Sequence, residues 1–238
     1  MGTRLLELKQ GVLSKNDRIA EALRQRFHQA GVLALNFVSS PGTGKTAFLE
    51  RVLTALTAQG HRAAVIVGDL ETDNDAKRLA QSGAPVRQIQ THGYCHLEAE
   101  WISAHLAQAG WDLSTLEFLF IENVGNLVCP SSYDLGEDIR VVLLSVTEGE
   151  DKPLKYPGLF DSADVAVITK IDLVEACECD LDLMRRNILQ VRPTMRIFET
   201  SAKRNVGIQP FVDFILAERE QRVCLETAHV LGNTGASR

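Results

Sequence analysis

The chain has 238 residues, enough for one large α/β domain, with two small domains as the other option. Apolar residues make up 45% of it, as in a globular core, and the net charge is −6. This composition argues against a nucleic-acid or membrane surface, and no apolar run reaches the roughly 20 residues that a membrane span requires. The N-terminal residues lack the apolar stretch of a signal peptide, which predicts a cytoplasmic protein whose five cysteines are reduced thiols or metal ligands.

The first predicted element is an amphipathic helix at 14–30, with Ser14 as its N-cap and Gly31 at its end. Apolar runs with the length of strands then alternate with segments that have the period of helices. Strands are predicted at 32–38, 62–67, 116–121, 139–146, 164–168 and 195–198, and helices at 45–59, 74–81, 97–109, 181–191 and 208–219. This alternation predicts an α/β fold with a mainly parallel sheet and helices on both faces.

The chain divides into three predicted parts. Residues 1–30 are expected to form a helical segment that packs on the main domain, which is predicted to span 31–220. The tail, 221–238, ends in a polar, glycine-rich sequence. We expect this tail to be disordered or a minor extension of the domain.

A glycine-rich segment at 39–46 follows the first predicted strand and ends in Gly-Lys-Thr before a predicted helix. This order is typical of the phosphate-binding loop of P-loop NTPases, because glycines let backbone N–H groups surround phosphate oxygens at the helix N-terminus. Lys45 is expected to reach the β/γ-phosphates and to act in catalysis, and Thr46 to bind Mg²⁺. The residues expected to contact nucleotide here are Gly42, Thr43, Gly44, Lys45 and Thr46. The alternative, a flexible surface turn, does not explain the flanking strand and helix.

Acidic residues stand at the ends of two predicted strands, where ligands bind in open α/β sheets. Asp69 and Glu122 occupy these positions and are the predicted Mg²⁺ ligands beside the loop threonine. Gly125 is expected to give its N–H to the γ-phosphate. Asp73 and Asp75 are candidates for orienting the attacking water, with Asp75 preferred; the alternative is that both are solvated loop or helix-cap acids.

A second nucleotide motif follows the predicted strand at 164–168. Thr169, Lys170 and Asp172 match the Asn-Lys-x-Asp pattern of GTPases, with Thr in place of Asn. Guanine presents two adjacent donors that one carboxylate accepts, whereas adenine lacks them, so Asp172 favours GTP over ATP. The loop after the next strand is expected to present backbone N–H groups to guanine; it comprises Ser201, Ala202 and Lys203. The alternative for Asp172 is a helix-capping role without a ligand.

A thiol and an imidazole are adjacent at Cys95 and His96, which we place at the start of a predicted helix, and Cys129 follows the Glu122 strand. Thiolate and imidazole are ligands that suit Zn, Cu or Ni, so these residues are candidates for a metal site. The alternative is that the cysteines are buried structural residues and the histidine lies at the surface. His92 is a further possible ligand, and 177–179 is expected to hold an exposed Cys pair without function. Because only three strong ligands are expected to converge in one chain, a complete site is expected to need a second copy across a twofold axis.

Over about residues 14–220, the chain resembles the HypB family, GTPases that assist nickel insertion into hydrogenase. The resemblance rests on six segments, of which the fourth and fifth are highly specific: 39–46, 68–72 with Asp75, 95–97, 120–130, 147–157 and 169–172.

The resemblance implies a P-loop GTPase that converts GTP to GDP and phosphate and delivers nickel during maturation of [NiFe]-hydrogenase. It implies GTP-dependent dimerisation, with a Zn or Ni site built from Cys95, His96 and Cys129 at the dimer interface. The resemblance also implies that the 152–155 segment, which includes Lys152, helps bind nucleotide or the partner subunit. The implied partners are a second copy, other hydrogenase maturation proteins and the hydrogenase large subunit.

Two other functions remain open at this point. One is that of a UreG-like GTPase that serves urease, since UreG shares the architecture and a Cys/His motif. The other is a metal-binding scaffold with little turnover, against which the intact nucleotide motifs argue. GTP turnover separates the enzyme from the scaffold, and the bound client separates the two GTPases.

Overall fold

The computed structural model describes the backbone of residues 2–69 and 73–234 and the side chains of 11–69 and 73–224. Within these residues the helices are α1 Gly2–Ala30, α2 Lys45–Ala58, α3 Asn74–Ala80, α4 Ala99–Ala109, α5 Lys152–Lys155, α6 Pro157–Ser162, α7 Leu181–Val191 and α8 Ile208–Thr234. The strands are β1 Leu33–Ser39, β2 Ala63–Asp69, β3 Val86–Gln90, β4 Phe118–Glu122, β5 Ile139–Ser145, β6 Val165–Thr169 and β7 Arg196–Glu199. Among these described residues, none of the helices combines the length and the hydrophobicity that a membrane span requires.

The seven strands of the described residues form one parallel sheet in the order β3-β2-β4-β1-β5-β6-β7. The predicted α/β fold with a mainly parallel sheet is confirmed. Because β1 lies between β4 and β5, the carboxyl ends of these strands meet at one edge. That edge brings Ser39, Glu122 and Ser145 to the start of the loop at 39–46.

Apolar side chains cover both faces of the sheet. One face packs on α2 and α8, with Phe37 stacked on Phe120 at 5.6 Å between ring centroids and Phe211 6.3 Å from Phe37. The other face packs on α1 and α4 at one end and on α6 and α7 at the other. Burying one Phe side chain contributes roughly 1.5–3 kcal/mol relative to leaving it exposed. The burial of both faces therefore holds the strand ends in place.

Helix α1 is tied to the rest of the molecule by polar contacts as well as by its apolar face. The amide of Asn16 donates to the carbonyl of Asp134 at 2.8 Å and accepts from the N–H of Ala99, the first residue of α4, at 2.9 Å. Arg24 forms two hydrogen bonds to the Asp134 carboxylate at 2.6 and 2.7 Å. Burial alone would raise the pKa of Asp134, but the bonds from Arg24 hold this pKa below its ordinary value.

Two ends of the chain differ from the sequence-based expectation. Helix α1 begins at Gly2, so Ser14 is not an N-cap: its hydroxyl donates to the carbonyl of Gly11 at 3.0 Å inside the helix. Helix α8 continues to Thr234, so residues 221–234 are helical where a disordered tail is predicted. The glycines near the chain end dominate that prediction, although Gln, Arg, Leu, Glu and Ala just before them favour a helix. The last four residues lie outside the described part, and the boundaries of the three predicted domains stay predictions.

Three elements are absent from the sequence-based prediction. Strand β3 lies at the sheet edge, and its sequence is largely polar with only Ile89 buried, so it lacks the apolar run used to find the other strands. Helices α5 and α6 are short; Pro153 is the second residue of α5 and Pro157 is the first residue of α6. Such short helices show no helical period in the sequence.

Candidate nucleotide and metal sites

The loop between β1 and α2 encloses a cavity of about 350 Å³. Gly42 and Gly44 adopt φ of 75° and 97°, a conformation that favours glycine, and α2 begins at Lys45. Gly125 lies against this loop, because a Cβ there would be 3.0 Å from Pro41 Cα. The cavity is lined by residues 40–47, 68–69 and 122–125 together with Asp75 and Arg78. The structure therefore brings the predicted phosphate loop, Asp69, Asp75, Glu122 and Gly125 together around one space.

Glu122 is the buried acid of this cavity. Its Oε1 accepts a 2.7 Å hydrogen bond from the Thr46 hydroxyl and lies 3.3 Å from Lys45 Nζ. Its Oε2 is buried without a hydrogen-bond partner in the described part of the chain. Burial raises the pKa of Glu122, Lys45 and Thr46 oppose the rise, and Asp75 adds to it. A buried carboxylate oxygen without a donor, beside a Thr hydroxyl and further acids, fits a hard cation such as Mg²⁺.

The two aspartates considered for water activation have different surroundings. Asp73 is exposed and pairs with Lys77 at 2.7 Å, which lowers the pKa of Asp73. Asp75 is partly buried and lines the cavity. Arg78, one turn further along α3, also lines the cavity while its Nε bonds Glu50 at 2.6 Å; the sequence motifs gave no reason to select it.

Glu148, an acid that the nucleotide motifs of the sequence did not select, supports the phosphate loop. Glu148 accepts hydrogen bonds from the hydroxyls of Ser40 and of Thr43, the latter at 2.6 Å. Lys152 lies 3.7 Å from the same carboxylate. Glu148 falls in the 147–157 segment, so the family pattern is the signal that pointed to this region.

A smaller cavity of about 240 Å³ adjoins the first and shares Gly44 and Ala47 with it. Its walls include Thr169, Lys170, Asp172, Ala202 and Lys203, so the two predicted base-binding loops meet. Such a space beside the phosphate loop has the position expected for a nucleotide base.

Hydrogen bonds fix the base loops to each other and to the phosphate loop. The Thr169 hydroxyl donates to the carbonyl of Thr43 at 2.7 Å, and Lys170 Nζ donates to that of Gly42 at 2.7 Å. Ser201 donates to the Asp172 carboxylate at 2.5 Å, and this bond lowers the pKa of Asp172. Thr169 therefore joins the base loop to the phosphate loop without the amide that Asn would offer.

The predicted metal ligands converge. The Sγ atoms of Cys95 and Cys129 are 2.7 Å apart, and His96 Nδ1 lies 3.8 Å from Cys95 Sγ. Ligand atoms from the three residues all lie within 4.8 Å of one another. The Tyr133 ring stacks on His96 at 3.9 Å, and His96 Nε2 lies 3.4 Å from Glu98 Oε1. Two sulfurs and one nitrogen form a donor set that suits borderline cations such as Ni²⁺ and Zn²⁺.

Three expectations about cysteine and histidine residues need correction or refinement. Helix α4 begins at Ala99, so Cys95 lies in the preceding loop and not in the first turn of the helix. His92 lies outside the cluster and lines a separate cavity with His105. Cys179 is buried, not part of an exposed pair, and burial raises the pKa of its thiol to about 11.

A glycine-rich loop before α2, two acids at strand ends and an adjoining base cavity define a P-loop nucleotide-binding protein. A family model described as "CobW/HypB/UreG, nucleotide-binding domain" matches residues 33–199. The chain is 43% identical over 223 residues to the hydrogenase maturation factor HypB of Azotobacter vinelandii, covering 93% of this chain and 72% of that protein. The chain belongs to the HypB family.

Two Helicobacter pylori proteins support the same assignment. The hydrogenase/urease maturation factor HypB of strain ATCC 700392 / 26695 is 40% identical over 218 residues, covering 91% of this chain and 89% of that protein. The crystal structure of Helicobacter pylori HypB in complex with nickel has a TM-score of 0.81 and 41% identity. It covers 87% of this chain and 96% of the nickel-bound chain.

Proposed function

We propose that this protein is a GTP-hydrolysing metallochaperone that delivers nickel during maturation of [NiFe]-hydrogenase. The observation that carries the proposal is that one loop, residues 122–129, begins at the buried acid of the phosphate cavity and ends at a cysteine of the Cys/His cluster. A change at the γ-phosphate therefore has a short covalent path to a metal ligand.

Hydrolysis in this proposal depends on positioning and charge. Lys45 and the backbone N–H groups of the loop neutralise the β/γ-phosphates, and Asp75 orients the attacking water. Thr46, Asp69 and Glu122 hold Mg²⁺, which supplies positive charge to the phosphate oxygens. Asp172 gives selectivity for guanine, with Ser201 fixing its orientation.

The proposed nickel site is completed by a second copy of the chain. Cys95, His96 and Cys129 give three ligands, and the exposed side chains of Tyr94 and Val128 stand beside them. Exposed apolar groups next to an open coordination set favour a protein interface at this surface. We propose that GTP favours this dimer, that the shared site takes Ni²⁺ or Zn²⁺, and that Lys152 binds nucleotide or the partner subunit.

The client is proposed from the relatives. The Azotobacter vinelandii relative is a hydrogenase maturation factor, and the Helicobacter pylori relative is named for both hydrogenase and urease. Hydrogenase is therefore the proposed client, with other maturation proteins and the large subunit as partners, and urease is the second candidate. Thiolate ligation requires reduced cysteines, so the proposed location is the cytoplasm.

The test measures nickel affinity of the full chain with GDP and with a non-hydrolysable GTP analogue, alongside GTP turnover. We expect turnover above a no-protein blank and a nickel affinity that differs between the nucleotides. Linkage requires nickel to change analogue affinity by the same factor. Cys129→Ala should abolish the difference, whereas Cys177→Ala, at an exposed cysteine, should keep it. No turnover, or equal nickel affinity with both nucleotides, would contradict the proposal, and binding of nickel without turnover would favour the scaffold.

A further inference from the structure

A single buried amide lies between the two loops that lead to the nucleotide and metal sites. Asn123 follows Glu122 at the end of β4 and has 0% of its surface exposed. Its Oδ1 accepts from the N–H of Val124 at 2.9 Å and from the N–H of Leu97 at 3.2 Å. One side-chain oxygen therefore bonds the loop that contains Gly125 and the loop that contains Cys95 and His96.

Leu97 is also fixed from the side of the nucleotide site. Its side chain is fully buried against Gly68, the residue before Asp69, and a Cβ at Gly68 would lie 2.8 Å from Leu97 Cγ. Such a close approach is possible only because residue 68 is glycine. The segment after His96 is thus held between β2 and the end of β4, the strands that end in the candidate Mg²⁺ acids.

A second buried amide, that of Asn36, bonds Asn123 but does not bond either of the two loops. Asn123 Nδ2 donates to Asn36 Oδ1 at 3.3 Å, and Asn36 is also 0% exposed. Asn36 in turn donates to Glu137 at 3.0 Å, and Glu137 keeps two hydrogen bonds from Arg140. Replacing Asn36 therefore breaks the buried amide chain without removing an acceptor from Leu97 or Val124.

We infer that Asn123 is a positioning residue that serves both sites, setting the nickel loop through Leu97 and the phosphate-sensing loop through Val124. The inference rests on the proposed function for the identity of the two ligands. It differs from the covalent path through 122–129, because this contact crosses between separate loops. A shift of the loop at the γ-phosphate would move Asn123 and, through it, the backbone beside His96.

The physical reason for a large effect is the cost of an orphaned backbone donor. Without the Asn123 oxygen, the buried N–H groups of Leu97 and Val124 lose their acceptor, and both loops must move to find another. A metal site responds strongly to such a change, since loss of an outer contact that orients a ligand typically lowers metal affinity about 10- to 100-fold.

The test compares Asn123→Ala, Asn123→Asp and Asn36→Ala in the full chain. Nickel affinity is measured with nickel sulfate and no nucleotide, affinity for a GTP analogue is measured without nickel, and amide hydrogen exchange is followed at Leu97 and Val124. Asn123→Ala should weaken both affinities, nickel by about 10- to 100-fold, and speed exchange at both amides. Asn123→Asp keeps an acceptor and should restore slow exchange and part of the nickel affinity. Asn36→Ala should lower the unfolding midpoint and change neither affinity more than about twofold.

The outcomes separate the inference from the proposed function. Unchanged affinities and unchanged exchange in Asn123→Ala, or the same losses in Asn36→Ala, would overturn the role of Asn123. A parental chain that binds neither nickel nor GTP analogue would contradict the proposed function. Faster exchange at Leu97 and Val124 in Asn123→Ala would in that case still show that Asn123 positions the two loops.

Discussion

The Thr46 hydroxyl donates a 2.7 Å hydrogen bond to the carboxylate of Glu122, joining the first turn of α2 to the end of β4. Lys45 lies 3.3 Å from the same oxygen, and the second oxygen of Glu122 is buried without a partner in the described residues. The carboxylate is therefore held in place in the folded chain while still lacking part of its solvation. Burying an ionised acid in this way is unfavourable in free energy, and a bound cation would offset that penalty.

Glu122→Gln should stabilise the nucleotide-free protein near neutral pH. Burial raises the folded-state pKa of Glu122, so its penalty is absent below the ordinary pKa and develops as pH rises through the folded value. The parental protein should therefore lose stability across that window relative to the Gln variant. Thermal unfolding from pH 4 to 8 measures this, and parallel curves for the two proteins would contradict it.

The Mg²⁺-dependent affinity of Glu122→Gln for GTP should fall about 10- to 100-fold, the scale of one lost charge-assisted bond.

Asp75→Ala should reduce GTP turnover by roughly 10²- to 10⁴-fold while GDP affinity stays near the parental value. Asp75 lines the phosphate cavity, whereas Asp73 is exposed and paired with Lys77. Asp73→Ala is therefore the matched control and should hydrolyse GTP within about twofold of the parent. Lys45→Ala should abolish turnover, because it removes the cation beside the phosphates. Phosphate release under single-turnover conditions gives the rates, and parental hydrolysis by Asp75→Ala would make Asp75 a loop acid only.

Asp172→Asn should weaken GTP binding and favour xanthosine triphosphate. Asp172 lines the base cavity and accepts a hydrogen bond from Ser201, which fixes the carboxylate that we expect to accept the two donors of guanine. An Asn at this position has a donor NH2 group in place of one acceptor oxygen, which suits the C2 oxygen of xanthine and leaves a guanine donor unpaired. Titration calorimetry with both nucleotides measures the change. A variant with parental GTP affinity would show that Asp172 does not read the base.

The extent to which the sequence predicted the site depends on how local each signal is. The loop at 39–46, Asp69, Glu122 and the 169–172 motif follow apolar strands, and parallel strands must present their carboxyl ends at one edge. The contacts of Glu148 with the phosphate loop and of Asn123 with Leu97 join residues far apart in the chain. No short pattern encodes such contacts, because they depend on the strand order, which places β4 between β1 and β2. The polar edge strand β3 was missed for the related reason that only one of its side chains is buried.

Helix α1 is attached to α4 through the side chain of Asn16. Asn16 is 4% exposed, and its amide bonds the Asp134 carbonyl and the N–H of Ala99, so it caps α4 from another helix. Asn16→Ala leaves the buried N–H of Ala99 and the part-buried carbonyl of Asp134 without this partner and should lower the free energy of unfolding by about 2–4 kcal/mol. The adjacent Lys15 forms a 2.7 Å ion pair with Glu100 between the same two helices, but both side chains are more than half exposed.

Lys15→Ala is therefore the control for Asn16→Ala and should cost roughly 0–1 kcal/mol, because solvent screens an exposed pair. Urea unfolding of the parent and the two variants measures both changes, with an unaltered dependence on urea concentration as evidence of a common unfolded state. The Asn16 variant should also exchange the Ala99 amide faster, since the N-terminus of α4 loses its cap. A loss in Lys15→Ala equal to that in Asn16→Ala would mean that α1 is held by surface charge and not by the buried amide.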